Sequence, residues 1–258
     1  MRPAALALVL LAAPAARAQT AEIEAAIQAK LGAARYALKL EDPAGGFAPA
    51  AGGKPGLRAT SAGVRTLKYT GGKTEHADQH AAFVMSCFDP KSGGFADAPG
   101  GKADVTLTSV GVMAAVELKV PKERYRKALD YLKANAKTFE EVRIAAGAVE
   151  AWGVKDAPFD LKPWAEAGRE HLKVVGATDG REVGSATALA LRLGGDPGQQ
   201  ERRALAGVLT RSQRPDGGWG KAGAKDSDLE TTYRVMRALM LLEQPPANPA
   251  RQAGGSVA

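Results

Sequence analysis

Apolar residues in this chain recur at three- and four-residue intervals in ten separate stretches, and no run alternates apolar and polar positions for the length of a strand. One series covers residues 22–40, 75–88, 122–137, 162–175 and 199–213, with stripes such as Ile23, Ile27, Leu31 and Tyr125, Leu129, Leu132. A second series covers 58–69, 105–118, 139–152, 183–193 and 228–242 and is richer in Ala and Gly. The two series alternate along the chain, so each neighbouring pair is predicted to form a helical hairpin.

The hairpins repeat. Gly45-Gly46-Phe47, Gly93-Gly94-Phe95 and Gly217-Gly218-Trp219 are each followed, thirteen residues after the aromatic, by a threonine: Thr60, Thr108 and Thr232. Glycine supplies the positive φ such a turn needs, and the aromatic is predicted to wedge between hairpins. With Ile144 and Thr187 as the corresponding residues of two weaker units, the anchors are separated by 48, 36, 43 and 45 residues. Three positions further on stand Gly63, Gly111, Gly147, Ala190 and Val235, a mostly tiny set that suits helices approaching closely. Asp104 and Asp228, four before their anchors, sit where an N-cap belongs, and Ser227 to Glu230 has the capping-box pattern.

A hairpin of this kind cannot bury both faces of its helices alone, so the units must stack and curve. The expected fold is all-α, an α/α toroid or strongly curved arc of about five helical hairpins, with the first helices outside and the second inside.

The ends differ from this body. Residues 1–18 combine Arg2, an apolar run from Ala4 to Ala13 and the small-x-small site Ala16-Arg17-Ala18, the form of a cleaved signal peptide. The repeat domain is therefore expected over 19–244, in a periplasmic or extracellular protein, with a disordered tail over 245–258. No later stretch reaches the roughly 20 apolar residues of a transmembrane helix. The formal charge of +7 falls to +5 once Arg2 and Arg17 are removed, and the basic residues are scattered rather than interleaved with aromatics, which argues against a nucleic-acid partner. Cys87 is the only cysteine, so no intrachain disulfide forms, and its apolar flank suits a small buried hydrophobe.

The segment Ser212-Gln-Arg-Pro-Asp-Gly-Gly-Trp-Gly220, followed by Asp228-Leu-Glu-Thr-Thr-Tyr233, resembles the prenyltransferase and squalene-oxidase repeat. The unit from Cys87 to Leu118 is similar to a repeat of protein geranylgeranyltransferase β subunits. The resemblance implies the toroid of terpenoid cyclases and protein prenyltransferases, isoprenoid substrates and, for the transferases, a partner subunit. The chemistry transfers poorly. Zinc-dependent transferases hold the metal with Asp-x-Cys, and here Met85 stands two before Cys87; cyclases protonate with Asp-x-Asp-Asp, and the nearest stretch is Asp226-Ser-Asp228-Leu. No catalytic residue, cofactor or metal is assigned. Asp226 and Asp228 are retained as an acidic loop of interest, against their reading as a helix start. His76 and His80, at i and i+4, are read as a solvated outer face, and His171 is unassigned.

The alignment also suggests a ligand surface. Five residues after the anchors lie Arg65, Met113, Val149, Arg192 and Arg237, and on the same stripe lie Trp152 and Tyr233. If the ring closes, Arg192, Arg237 and Arg65 form a basic arc facing an apolar wall of Met113, Val149 and Trp152. An isoprenoid or lipid-like anionic amphiphile fits that division; alternatively these arginines reach solvent at the mouth, or satisfy helix C-terminal carbonyls and nearby carboxylates. Glu150 is the only acid in the core of a second helix, away from its ends, and has no evident partner. Three functions follow: a binding or scaffold toroid, which the missing motifs favour; a transferase or cyclase-like enzyme on an isoprenoid diphosphate; or a polysaccharide-active enzyme on a toroidal helical fold.

Overall fold

The computed structural model describes residues 5–175 and 179–244. Its described α-helices are α1 (Ala5–Lys39), α2 (Leu57–Thr70), α3 (Ala77–Ser86), α4 (Val105–Glu117), α5 (Lys127–Asn135), α6 (Phe139–Trp152), α7 (Lys162–Val175), α8 (Gly180–Arg192), α9 (Gly198–Arg211) and α10 (Leu229–Leu241). Among the described residues there is no strand, only isolated bridges pairing Phe47 with Glu41 and Gly56, and Phe88 with Phe95. No helix among them is long and apolar enough to cross a membrane.

The even-numbered helices form the inner layer, α2 packing on α4, α4 on α6, α6 on α8 and α8 on α10, with the odd-numbered helices outside them. α2 and α10 do not pack on each other as the other inner neighbours do, so the inner layer runs as an arc from α2 to α10.

The thirteen-residue spacing has a direct cause. The backbone N–H of Phe47, Phe95 and Trp219 donates to Thr60, Thr108 and Thr232 Oγ1 at 2.9, 3.0 and 3.0 Å. Each threonine thus ties the turn to its own inner helix and satisfies a buried donor that would otherwise be orphaned. The tiny residue three positions later serves the same wedge rather than a helix-helix contact. A Cβ on Gly63 would stand 2.5 Å from the Phe47 ring and one on Gly111 2.3 Å from that of Phe95. Both rings are fully buried, which contributes about 2–3 kcal/mol each.

Turns also join one hairpin to the next. Gly45 and Gly93, at φ of 123° and 80°, lie against the backbone of the following outer helix, where a Cβ would meet Gln79 O at 2.5 Å or Lys127 O at 2.8 Å. Asp97, from the second unit, caps the first: Leu57 N donates to its carbonyl at 2.8 Å and Arg58 N to its carboxylate at 3.0 Å. His80, expected on a solvated face, is fully buried: Nδ1 accepts from Gly46 N at 2.8 Å and Nε2 lies 2.8 Å from Glu41 Oε1. A neutral ring with the proton on Nε2 satisfies both contacts.

Two further expectations are corrected. Ile23, Ile27 and Leu31 were expected to be the packing stripe of the first outer helix, but they are exposed, and α1 rests on α2 through Ala34 and Ala37. At α10 the cap is Asp228, which accepts from Thr231 N at 2.8 Å, while Ser227 donates to Asp216 instead of forming a capping box. The tail expected over 245–258 lies outside the described residues.

Candidate functional site

Helix starts fix which residues face the centre. The N-caps of the inner helices are Gly56, Asp104, Thr138, Asp179 and Asp228, each one residue before a helix of 13 or 14 residues. Thr138 makes a full capping box with Glu141, and Asp179 accepts from Arg181 N and Glu182 N. Counting four on from each cap gives Thr60, Thr108, Val142, Val183 and Thr232 as equivalent residues. The third unit is therefore phased on Val142 rather than Ile144, and the fourth on Val183 rather than Thr187. Position five after the anchor then holds Arg65, Met113, Gly147, Ala188 and Arg237, so two units and not three place arginine there. Arg192 reaches the centre from one turn further along α8.

This phasing overturns part of the expected surface. Val149 and Trp152 point away from the centre and are buried: the Trp152 ring meets Tyr125 edge-on at 5.2 Å, with Lys122 Nζ 5.1 Å from its centroid. Trp152 is a core residue and does not line the central cavity. Gly147 takes its place, with Arg192 Nη1 3.7 Å and Met113 Sδ 3.9 Å from where its Cβ would be.

The inner face encloses a cavity of about 760 Å³, within the range of small-ligand sites. Arg65, Arg192, Arg237 and Tyr233 all line it, together with Arg143, Glu117 and Glu150. Its apolar part comes from Met113, Ile144, Ala151, Met236 and Met240, and Tyr69 stands at the α2 edge. The residue that sequence reasoning left without a partner turns out to be the hub. Glu150 Oε1 accepts from Arg237 Nη2, and Glu150 Oε2 lies 3.1 Å from Arg192 Nε. Arg65 differs: it has no carboxylate partner among the described residues, and its guanidinium lies 3.9 Å from Met113 Sδ and 5.8 Å from the Tyr69 ring centroid. Lys68 holds Glu117 in an ion pair.

Beside the cavity lies a second arginine group. Arg234, almost fully buried on α10, donates to Glu140 Oε1 at 2.8 Å, to Ser185 Oγ at 3.1 Å and to Glu230. Arg143 donates to both Glu140 oxygens at 2.6 and 2.8 Å. Burial pushes the Glu140 carboxyl up, but the hydrogen bonds and charges of Arg143 and Arg234 outweigh it and hold the group down to about 2. His171, unassigned from sequence, stacks on Phe139 at 3.6 Å and lies 2.9 Å from Glu182.

The acidic loop is separate from this chemistry. Asp228 is consumed as the α10 cap, its carboxyl held low chiefly by the Thr231 N–H, and Asp226 is exposed. Neither lines the cavity. Burial pushes the Cys87 thiol up to about 11, so little of it is thiolate at neutral pH. No three of His, Cys, Asp and Glu converge as a metal site among the described residues. Arg143 and Arg234 escaped sequence reasoning, and Glu150 was left without a partner, because their roles depend on helix phase; the Thr138 to Glu141 capping box was the signal that fixes it.

The sequence model of the prenyltransferase alpha-alpha toroid domain matches residues 66–135 and 166–253. No curated protein matches the chain. An all-helical inner and outer layer, threonine-tied Gly-Gly-aromatic turns and a match over more than half its length agree: this chain belongs to the prenyltransferase alpha-alpha toroid family.

Proposed function

We propose that this protein is an exported binding toroid whose cavity takes an amphiphile with an anionic head and an apolar body. The observation that carries the reading is Arg65, a guanidinium facing the cavity with no carboxylate of its own among the described residues, beside a wall of methionine and aliphatic side chains. Four arginines against two glutamates line the cavity, so its charge favours an anion. Methionine is adaptable and suits an apolar ligand of variable shape. The head seats near Arg65 and Arg237, and the tail lies against Met113, Met236 and Met240. Export rests on residues 1–18, and N-terminal sequencing of the secreted or periplasmic protein should begin at Gln19.

Titration calorimetry with decyl phosphate, farnesyl diphosphate and decyltrimethylammonium tests the binding. The two anions should bind and the cation should not, and Arg65→Gln with Arg237→Gln should abolish binding. Equal affinity for the cation, or unchanged affinity in the double variant, overturns the reading.

Family membership favours a second reading, an enzyme acting on an isoprenoid diphosphate. Here the same arginines would hold the diphosphate. Release of diphosphate on incubation with a prenyl-diphosphate panel separates the two. A polysaccharide-active enzyme has less support, because the cavity carboxylates Glu117 and Glu150 are both engaged by cations; a polyuronate panel tests it.

A further inference from the structure

Where α6, α8 and α10 meet, a small notch opens off the wall of the cavity. Its volume is about 10 Å³, and Arg143, Arg192, Arg234 and Arg237 converge on it, with Ser185 and Tyr233 between them. Space of that size holds about one water-sized particle.

Three observations define what belongs there. Arg192, Arg234 and Arg237 each bury an Nε–H that has no hydrogen-bond acceptor among the described residues; for Arg192 the Glu150 carboxylate is near but misaligned. The Arg192 and Arg234 side chains are only 8% and 4% exposed, so bulk water does not relieve them. A buried donor left unpaired costs about 1–3 kcal/mol, which makes three in one place a sign of a missing acceptor. Second, the charge does not close. The four guanidiniums are met by three carboxylates, Glu140, Glu150 and Glu230, leaving an excess of one positive charge. Third, the lining is dominated by donors. The Ser185 hydroxyl already gives its proton to Arg181 O at 2.7 Å and accepts from Arg234 at 3.1 Å. A water would have to donate as well as accept, whereas a monatomic anion only accepts.

We propose that this notch is a binding site for a single halide ion, which neutralises the arginine cluster and braces α6, α8 and α10 together. Halide binding stands or falls separately from amphiphile binding, because it needs no amphiphile present.

Crystals of the full chain grown in sodium bromide test it. An anomalous peak is expected in the notch among the four arginines; an ordered water or no density there overturns the proposal. In parallel, thermal unfolding is compared in sodium chloride and sodium gluconate at equal ionic strength. The midpoint should rise by about 3–5 °C for each tenfold increase in chloride above its dissociation constant, and not with gluconate. Identical midpoints in the two salts overturn the proposal as well. In Arg192→Met the chloride effect should vanish, and its persistence counts against the site. Both wild-type measurements hold even if that variant does not fold.

Discussion

The ring of Phe95 occupies the space where a side chain on Gly111 would begin, 2.3 Å from an added Cβ. Both residues belong to the α3–α4 hairpin, sixteen positions apart, so the wedge and its socket are built by the same hairpin. Gly111→Ala should therefore destabilise the protein by about 2–3 kcal/mol, the range of an overpacked core. Urea unfolding measures it, and a change within error of zero would mean the ring is not seated there.

Thr108 holds the same wedge from the backbone side. Thr108→Val keeps the shape but leaves the buried Phe95 N–H without its acceptor, at a cost of about 1–3 kcal/mol. Hydrogen exchange should show the Phe95 amide losing protection ahead of the α4 amides.

Glu150 already occupies arginines that an anionic ligand needs. Glu150→Gln should strengthen decyl phosphate binding by about tenfold, while reducing stability by about 1–3 kcal/mol because partly buried guanidiniums lose their counter-charge. Weaker binding in calorimetry would instead make Glu150 the group that positions Arg192 and Arg237 for ligand.

The Glu140 carboxyl is depressed in the folded protein, from an ordinary value near 4.5 to about 2. The ionised form is favoured by folding, so its contribution is complete above pH 4.5 and is lost as pH falls toward 2. Melting temperature should decline across that window, and Glu140→Gln should have a shallower acid limb. An unchanged limb would show that other carboxylates set it.

Asp228→Ala removes a helix cap and should cost about 1 kcal/mol while leaving ligand binding intact. A loss of binding at full stability would return Asp228 to the site.

Much of the architecture was written in local chemistry. Hydrophobic period, glycine at positive φ, threonine thirteen residues after an aromatic and carboxylates at helix starts are short-range devices, and they located every inner helix to within about three residues. The boundaries of α6 and α7 agree with the expected 139–152 and 162–175 to the residue. Membership in the toroid family follows from the same repeats. Tertiary structure alone decided which side chains meet. A helical residue turns through about 100° per position, so a two-residue difference in the phase of α6 separates Trp152 in the core from Gly147 at the cavity. The meeting of Glu150 with Arg192 and Arg237, up to 87 positions away, depends on how three helices stack, and no local pattern encodes that distance.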